Sequence, residues 1–196
     1  MILVLLAVAY IAGSIPFGLV IARARGVDLR RSGSGNIGAT NVLRTMGKKE
    51  AVFTLAGDIM KGAFAVALVK VSGYGDPYAG IAGLLAVLGH DYPVFMRFRG
   101  GKGVATSIGV LLVYAPYVGL LTVLIWLAAV FASRYSSLGA LTAFTFLPLN
   151  MLLLEEGSFG VSLSLVLTLL IYVKHRDNIR RLLKGGEPRI GQKKNN

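Results

Sequence analysis

A glycine-rich polar stretch at residues 31–44 interrupts an otherwise apolar sequence, and we call it the serine–glycine loop. Its glycines allow tight turns in which backbone N–H groups point at a bound anion, a common way to hold phosphate. Its neutral side chains can add hydrogen-bond donors, and an arginine can bind an oxyanion through two parallel hydrogen bonds. The candidate anion-binding residues in this loop are Gly33, Ser34, Gly35, Asn36, Gly38, Thr40, Asn41 and Arg44.

Residues 33–38 also match the dinucleotide-binding fingerprint G-x-G-x-x-G. That fingerprint requires a preceding strand and a βαβ unit. Here an apolar run and four arginines precede the glycines, so we reject a nucleotide cofactor. A flexible cytoplasmic linker remains the alternative for this stretch taken alone.

A second polar stretch spans residues 89–106, and we call its residues 97–103 the lysine loop. Lys102 lies among glycines where the chain re-enters the membrane, and the following helix would turn the positive end of its dipole toward an anion. This is not a Walker A loop, because Gly103 stands where Ser or Thr would bind magnesium. The candidate residues here are His90, Gly100, Gly101, Lys102, Gly103 and Thr106. Two such loops on one membrane face predict two phosphate groups bound together.

A third polar cluster follows the last apolar run. His175 and Asn178 are three residues apart, so they lie side by side on a helix and can donate hydrogen bonds to a hydroxyl and a phosphate. A stop-transfer cluster is the plain alternative, and it explains the neighbouring arginines but not this pair.

Within the spans, Asp58 and Lys61 form either a structural ion pair or support for the site, and His90 has either a structural or a catalytic role.

The composition places these loops in a membrane protein. The chain is 55% hydrophobic and 15% charged, against about 25% charged in soluble domains. Its net charge of +12 suggests nucleic acid at first, but the basic residues lie between apolar runs and no aromatic RNA-binding pattern accompanies them. The absence of cysteine excludes a thiol nucleophile, a disulfide framework and an iron–sulfur site.

The basic residues also predict the topology of an all-α integral membrane protein. The apolar runs are Ile2–Ala22, Ala51–Val71, Tyr78–Met96, Val104–Ala132, Leu138–Leu154 and Phe159–Val173. With the N-terminus outside, and with the fourth run folded into two short helices at Pro116, 19 of the 21 Lys and Arg residues lie on the cytoplasmic face. We therefore predict seven transmembrane helices and a cytoplasmic C-terminus. Each helix of the fourth run would have about 14 residues, or roughly 21 Å.

We expect residues 1–184 to form a single transmembrane catalytic domain and residues 185–196 to form a disordered basic tail on the cytoplasmic side.

Together these motifs resemble those of the acyl-phosphate-dependent glycerol-3-phosphate acyltransferases of bacteria, the PlsY family. The residues that carry the resemblance run through nearly the whole chain, and they are Gly33–Arg44, Asp58–Gly62, Gly89-His90 with Pro93, Gly100–Thr106 and His175–Ile179.

The resemblance implies a seven-helix enzyme of the bacterial inner membrane with its site on the cytoplasmic face. The acyl donor would be a fatty acyl phosphate, supplied by a soluble enzyme. The acceptor would be glycerol 3-phosphate, with no metal or cofactor and no nucleic acid partner. The products would be 1-acylglycerol 3-phosphate and phosphate, in the first step of phospholipid synthesis among membrane lipids.

Residue chemistry fits this reaction. Acyl phosphate is a mixed anhydride with a good leaving group, so the protein needs to position two anions rather than form an acyl-enzyme. Two sets of residues are assigned: Ser34, Arg44, Lys102, His175 and Asn178 to glycerol 3-phosphate, and the glycine backbone with Asn36, Thr40 and Asn41 to the acyl phosphate. The proton acceptor stays open between His90, His175 and a substrate phosphate, with the phosphate preferred.

Two other functions are disfavoured. A CDP-alcohol phosphotransferase needs a carboxylate-rich motif for magnesium, and the nine acidic residues here are scattered. An organic-anion transporter should show inverted repeats and helices broken near the bilayer midplane. Here the polar loops gather on one face, which favours a reaction at the surface.

Overall fold

The computed structural model describes residues 1–154 and 156–191, and within these ranges the regular structure is helical, without β-strands. A 3₁₀ turn, Val94–Met96, follows α5. The helices are α1 (Ile2–Gly13), α2 (Phe17–Ala24), α3 (Ala39–Thr45), α4 (Lys48–Val71), α5 (Asp76–Asp91), α6 (Val104–Tyr114), α7 (Pro116–Ser133), α8 (Ser136–Leu153), α9 (Gly157–Lys174) and α10 (Arg176–Leu183).

Five helical segments are long and apolar enough to cross a bilayer by themselves: Lys48–Val71, Asp76–Met96, Pro116–Ser133, Ser136–Leu153 and Gly157–Lys174. The bent pair α1 and α2 would make a sixth span, and α6 is a shorter apolar helix. The prediction of an all-helical protein with several membrane spans is confirmed at this level.

The first apolar run is broken, although the sequence predicts one continuous span from Ile2 to Ala22. The chain bends by 41° between α1 and α2. Pro16 explains the break, because proline lacks the N–H of a helical hydrogen bond and its ring clashes with the preceding turn. Lys61 on α4 donates to the freed carbonyl of Ile15 at 2.9 Å and forms an ion pair with Asp58, also at 2.9 Å. Of the two roles considered for Asp58 and Lys61, the structure shows the ion pair. Through Lys61, this pair also stabilises the break between α1 and α2.

The fourth apolar run also divides, at the predicted place. α6 ends at Tyr114 and α7 begins at Pro116, where proline is favoured as the first residue of a helix. The intervening Ala115 is extended (φ −138°, ψ 81°), as expected for a residue that precedes proline. The two helices have 11 and 18 residues rather than about 14 each. α6 and α7 pack against each other as a hairpin.

Small residues let the central helices approach closely, as is common in membrane bundles. Gly13 and Gly89 bring α1 against α5, and Gly62 and Gly109 bring α4 against α6. The remaining helices continue the packing through the pairs α6–α7, α7–α8, α8–α9 and α5–α9. The outward faces carry exposed apolar side chains suited to lipid, such as Phe131, which is 92% exposed. In this arrangement, the helix ends that are connected to the polar loops lie on the same side of the bundle.

Candidate active site

The serine–glycine loop and the lysine loop lie on the same face of the protein. Arg30, next to the serine–glycine loop, donates from Nη2 to the carbonyl of Arg99 in the lysine loop at 2.5 Å. Residues near the start of α8 join the same group, since the Thr40 and Ser136 hydroxyls are 3.0 Å apart. The predicted meeting of the two loops is confirmed.

Asn41 organises the serine–glycine loop and has no free polar atom for a substrate. Its side chain is buried, and its Nδ2 donates to the carbonyls of Leu29, Ser32 and Asn36 at 3.3, 3.0 and 2.8 Å. Its Oδ1 accepts the backbone N–H of Ser34 at 2.8 Å. The assignment of Asn41 to the acyl phosphate is therefore corrected, because one buried amide serves four backbone groups of the loop.

The rest of the loop surrounds this amide. Gly33 and Gly35 have φ values of +61° and +71°, which favour glycine, and Gly38 precedes the first residue of α3. Ser34 is exposed, while Asn36 and Thr40 are half-buried. The Asn36 Oδ1 accepts the N–H of Ile37 at 3.0 Å, so its amide nitrogen is the group with a donor to offer.

The glycines of the lysine loop are hydrogen-bonded to the end of α5. The N–H of Gly100 donates to the carbonyl of Asp91 at 3.1 Å, and that of Gly101 donates to the carbonyl of His90 at 3.0 Å. A Cβ on Gly101 would collide with the His90 ring. These two amides are therefore occupied, and the prediction that they bind a substrate phosphate is corrected.

His90 and Thr106 lie inside the protein, and their assignments as substrate-binding residues are corrected too. His90 is 5% exposed, and its Nδ1 is 3.4 Å from Asp58 Oδ1, so it belongs with the ion pair under the loop. Thr106 is fully buried in α6 against the backbone of α4 at Gly62. Gly103 keeps a role at the start of α6, with a φ of +74°.

Four of the predicted residues, Arg44, Lys102, His175 and Asn178, come together. Lys102 Nζ donates to Asn178 Oδ1, which connects the lysine loop to α10. His175 immediately precedes α10, and its Nδ1 donates to the carbonyl of Ile171 in α9 at 2.8 Å. In the neutral ring this leaves Nε2 as an acceptor rather than the predicted donor. Arg44 binds the carbonyl of Pro188 at 2.9 Å and repels Lys102 electrostatically.

Burial and neighbouring cations shift the ionisation of this cluster. Burial, assisted by Arg181, lowers the pKa of Lys102 to about 8. Burial and the Lys102 charge lower the pKa of His175 to about 4, so its imidazole is neutral near pH 7. Burial also lowers the pKa of Arg44, against the opposing effect of Glu187. The cluster holds positive charge that a dianionic phosphate would stabilise.

Glu187 is the residue of this site that the sequence reasoning missed. It is 7% exposed and accepts hydrogen bonds from three residues: Ser137 Oγ at 2.7 Å, Asn178 Nδ2 at 2.6 Å and Arg181 Nε at 2.7 Å. Although burial raises its pKa, these hydrogen bonds lower the pKa below its ordinary value overall. The available signal was that Glu187 is the only acidic residue after Asp177 in a basic segment.

The tail between Gly185 and Gly191 does not match the predicted disorder. Glu187 anchors it to α8 and α10, Pro188 contacts Arg44, and the N–H of Ile190 donates to the carbonyl of Arg134 at 2.8 Å. A buried carboxylate with three donors explains why this segment is ordered. Residues 192–196, the rest of the predicted tail, lie outside the described residues.

Comparison with known proteins decides the family. The family model described as glycerol-3-phosphate acyltransferase matches residues 3–185 of the chain. This chain belongs to the glycerol-3-phosphate acyltransferase family. A glycerol-3-phosphate acyltransferase of Geobacter sulfurreducens is 48% identical over 96% of this enzyme and 97% of its own length. One from Cereibacter sphaeroides is 52% identical over 94% and 87% of the respective chains.

Solved structures agree with this membership of the acyltransferase family. The enzyme resembles the glycerol 3-phosphate form of PlsY (YgiH), an integral membrane glycerol 3-phosphate acyltransferase, with a TM-score of 0.93, 44% identity and coverage of 97% and 96% of the two chains. The lysophosphatidic acid form of that protein gives a TM-score of 0.90 and 43% identity, covering 97% and 95%. The resemblance inferred from the sequence motifs is confirmed.

The lowered pKa of Lys102 predicts a pH dependence of the acyltransferase. The ammonium is charged below its pKa and neutral above it, so its attraction for a phosphate is lost as the pH rises. We expect kcat/KM for glycerol 3-phosphate, which reports the free enzyme, to fall above about pH 8. In Lys102→Arg the decline should disappear from this range, because a guanidinium stays charged. An unchanged profile in this variant would show that another group titrates.

The three hydrogen bonds of Glu187 predict that Glu187→Gln weakens catalysis. The neutral amide carries no charge for Arg181 and offers one acceptor oxygen instead of two, so either Arg181 or the pair Ser137 and Asn178 loses its acceptor. Loss of one charged hydrogen bond costs about 1.5–3 kcal/mol, so we expect kcat/KM for glycerol 3-phosphate to fall roughly 10- to 100-fold. Asp177→Asn removes an equal charge from an exposed carboxylate and is the control. Matching losses in both variants would refute the role of Glu187, and thermal unfolding of each in detergent checks folding.

Proposed function

We propose that this enzyme transfers a fatty acyl group from acyl phosphate to the sn-1 hydroxyl of glycerol 3-phosphate. The observation that carries the proposal is the meeting of Arg44, Lys102 and Arg181 with His175 and Asn178 on one face of a membrane bundle. The products are 1-acylglycerol 3-phosphate and inorganic phosphate, and the reaction opens phospholipid synthesis.

The cation cluster binds the acceptor. Arg44 and Lys102 bind the phosphate of glycerol 3-phosphate, and Asn178 and the acceptor nitrogen of His175 bind its glycerol hydroxyls. Ser34, exposed on the same loop as Arg44, adds a hydroxyl donor to this set. The glycerol 3-phosphate form of the similar PlsY structure supports this choice of acceptor.

The serine–glycine loop binds the donor. The turn at Gly33, the N-terminus of α3 after Gly38, and the Asn36 and Thr40 side chains offer neutral donors to a second phosphate, whereas the N–H of Gly35 is already bound to the carbonyl of Ser32 at 3.0 Å. The acyl chain lies in the inner leaflet or between helices. Donor and acceptor then meet at the membrane surface, which both the lipophilic acyl phosphate and the water-soluble glycerol 3-phosphate can reach.

Direct attack is the simplest chemistry for these groups. The sn-1 oxygen attacks the carbonyl carbon of the acyl phosphate, a C–O ester bond forms, and the anhydride C–O bond breaks to release phosphate. The proton of the hydroxyl passes to a substrate phosphate. His175 supports that route, because a group with a pKa of about 4 is a weak base near neutrality. The cations stabilise the oxyanion and the departing phosphate.

The same contacts support a seven-span topology. Hydrogen bonds join Arg30, next to the serine–glycine loop, to the lysine loop, and join the serine–glycine loop itself to the start of α8 and to the tail after α10. All these segments share one face, so an even number of crossings lies between the lysine loop and α8. We infer that α6 and α7 supply these two crossings, which gives seven spans. The distribution of Lys and Arg residues then favours an outside N-terminus and a site on the cytoplasmic face of a bacterial inner membrane.

A donor assay tests the reaction. Purified enzyme in detergent should release phosphate from palmitoyl phosphate only when glycerol 3-phosphate is present, and EDTA should leave the rate unchanged. Palmitoyl-CoA should not replace palmitoyl phosphate. Labelled palmitoyl phosphate without acceptor should leave no label on the protein. Transfer from palmitoyl-CoA would refute the donor, and a labelled protein would refute direct attack.

Replacing each histidine tests the proton acceptor. We expect His175→Gln to raise KM for glycerol 3-phosphate more than it lowers kcat, because the imidazole binds the hydroxyl without taking its proton. His90→Gln should lower the thermal stability, because His90 is buried beside Asp58. A loss of kcat of about 10²-fold or more in His175→Gln, with KM unchanged, would instead identify a protein base.

Single cysteines test the topology, since the natural chain contains none. In intact spheroplasts, an impermeant maleimide should label Ser72→Cys at the outer end of α4 and leave Lys49→Cys unlabelled until the membrane is opened. The opposite pattern would invert the orientation. These variants need to retain activity to count.

A further inference from the structure

A depression lined by arginines lies beside the lysine loop, and we call it the arginine groove. It has a volume of about 360 Å³ and is lined by Leu19, Arg23, Arg30, Phe95, Met96, Arg97 and Arg99. Neither Lys102 nor Arg44 lines it. The groove thus gathers four arginines that the proposed reaction does not use.

The charge of the groove is not balanced by the protein. Neighbouring arginines have acidic partners: Arg25 pairs with Glu50 at 2.7 Å, and Arg31 pairs with Asp28 at 3.5 Å. In residues 1–154 and 156–191, no salt bridge involves an arginine of the groove, and no acidic residue lines it. Four guanidinium groups around one open depression favour an anion with several oxygen acceptors.

The surroundings of the groove are apolar, which identifies the kind of anion. Phe95 and Phe98 are 64% and 59% exposed, and Val20 on α2 is 56% exposed. These side chains lie where α2 and α5 reach the polar face, and Leu19 and Met96 line the groove itself. An apolar rim beside a cationic groove suits a ligand with an anionic head and apolar tails, whereas a soluble anion or nucleic acid has no use for the rim.

We propose that the arginine groove binds the phosphate headgroup of an anionic phospholipid of the inner leaflet. The arginines bind the headgroup phosphate, and the acyl chains lie along the exposed apolar side chains of α2 and of the Val94–Met96 turn. Each basic residue near a membrane surface strengthens the attraction for anionic lipid, so four act strongly together.

The bound lipid also supports the active site, because the groove is lined by residues of the lysine loop and by Arg30, which adjoins the serine–glycine loop. Arg30 Nη2 donates to the Arg99 carbonyl at 2.5 Å, and Arg99 directly precedes Gly100 of the lysine loop. On the other side, a Cβ on Gly35 would lie 2.9 Å from the Arg30 carbonyl, so Arg30 packs against the serine–glycine loop. A headgroup that fixes Arg30 and Arg99 therefore fixes the distance between the two loops.

Lipid binding tests this proposal without any turnover, so its outcome is separate from that of the proposed acyl transfer. Phosphatidylglycerol is titrated into the detergent-purified enzyme, and bound lipid is counted by native mass spectrometry. We expect Arg97→Gln/Arg99→Gln to weaken phosphatidylglycerol binding by roughly 30-fold. Lys48→Gln/Lys49→Gln removes two exposed charges from the same face and should bind as the wild type does.

Activity in nanodiscs completes the test. The wild type and the lysine variant should be several-fold faster with phosphatidylglycerol than with phosphatidylcholine alone, and the arginine variant should lose this difference. Equal weakening of binding by both variants would show a general charge effect and overturn the proposal. Displacement of phosphatidylglycerol from the wild type by palmitoyl phosphate would also overturn it, because the groove would then hold the donor.

Discussion

The half-buried ammonium of Lys102 needs an acceptor, and the one that it uses determines the layout of the site. Lys102 donates to the oxygen of Asn178, and the nitrogen of the same amide donates to Glu187. This chain of contacts joins three parts of the protein that are distant in sequence: the lysine loop, α10 and the tail. Because the amide is bound on both sides, its orientation is fixed, and the substrate meets a prearranged surface.

Membrane helices provide the rigid frame for this arrangement. Charged groups inside the spans are costly unless paired, and Lys61 is paired with the carbonyl of Ile15 at the helix break before Pro16. The α6–α7 hairpin has a related role. It brings the chain from the lysine loop, through the short helix α6 and then α7, back to the same face of the bundle. Ser136 and Ser137 of α8 therefore lie beside Thr40 and Glu187.

Charge and glycine patterns were enough to predict that the polar loops come together. The positive-inside distribution predicted the shared face, and the types of Arg44, Lys102, His175 and Asn178 predicted their convergence. The division of the fourth run at Pro116 followed from counting charges. The break at Pro16 could not be predicted from the charges, because a bent span and a straight span leave the loops on the same sides of the membrane.

The individual contacts could not be predicted from the sequence, because glycine and asparagine form hydrogen bonds equally well with a ligand and with the protein itself. Asn41, Gly100 and Gly101 proved to bind the backbone around them. Glu187 was overlooked for a similar reason: a single acid in a basic tail has no periodicity, and only the fold shows that Ser137, Asn178 and Arg181 surround it. Neither its burial nor its partners can be read from neighbouring residues.

The affinity of the purified enzyme for glycerol 3-phosphate, measured without any acyl donor, tests the convergence of the two loops most directly. If Arg44 and Lys102 bind the same phosphate, Arg44→Gln and Lys102→Gln should each raise Kd by about 10-fold or more, while Lys48→Gln leaves it unchanged. An unchanged Kd in either loop variant, with folding intact, would contradict a shared phosphate site and with it the account given for this enzyme.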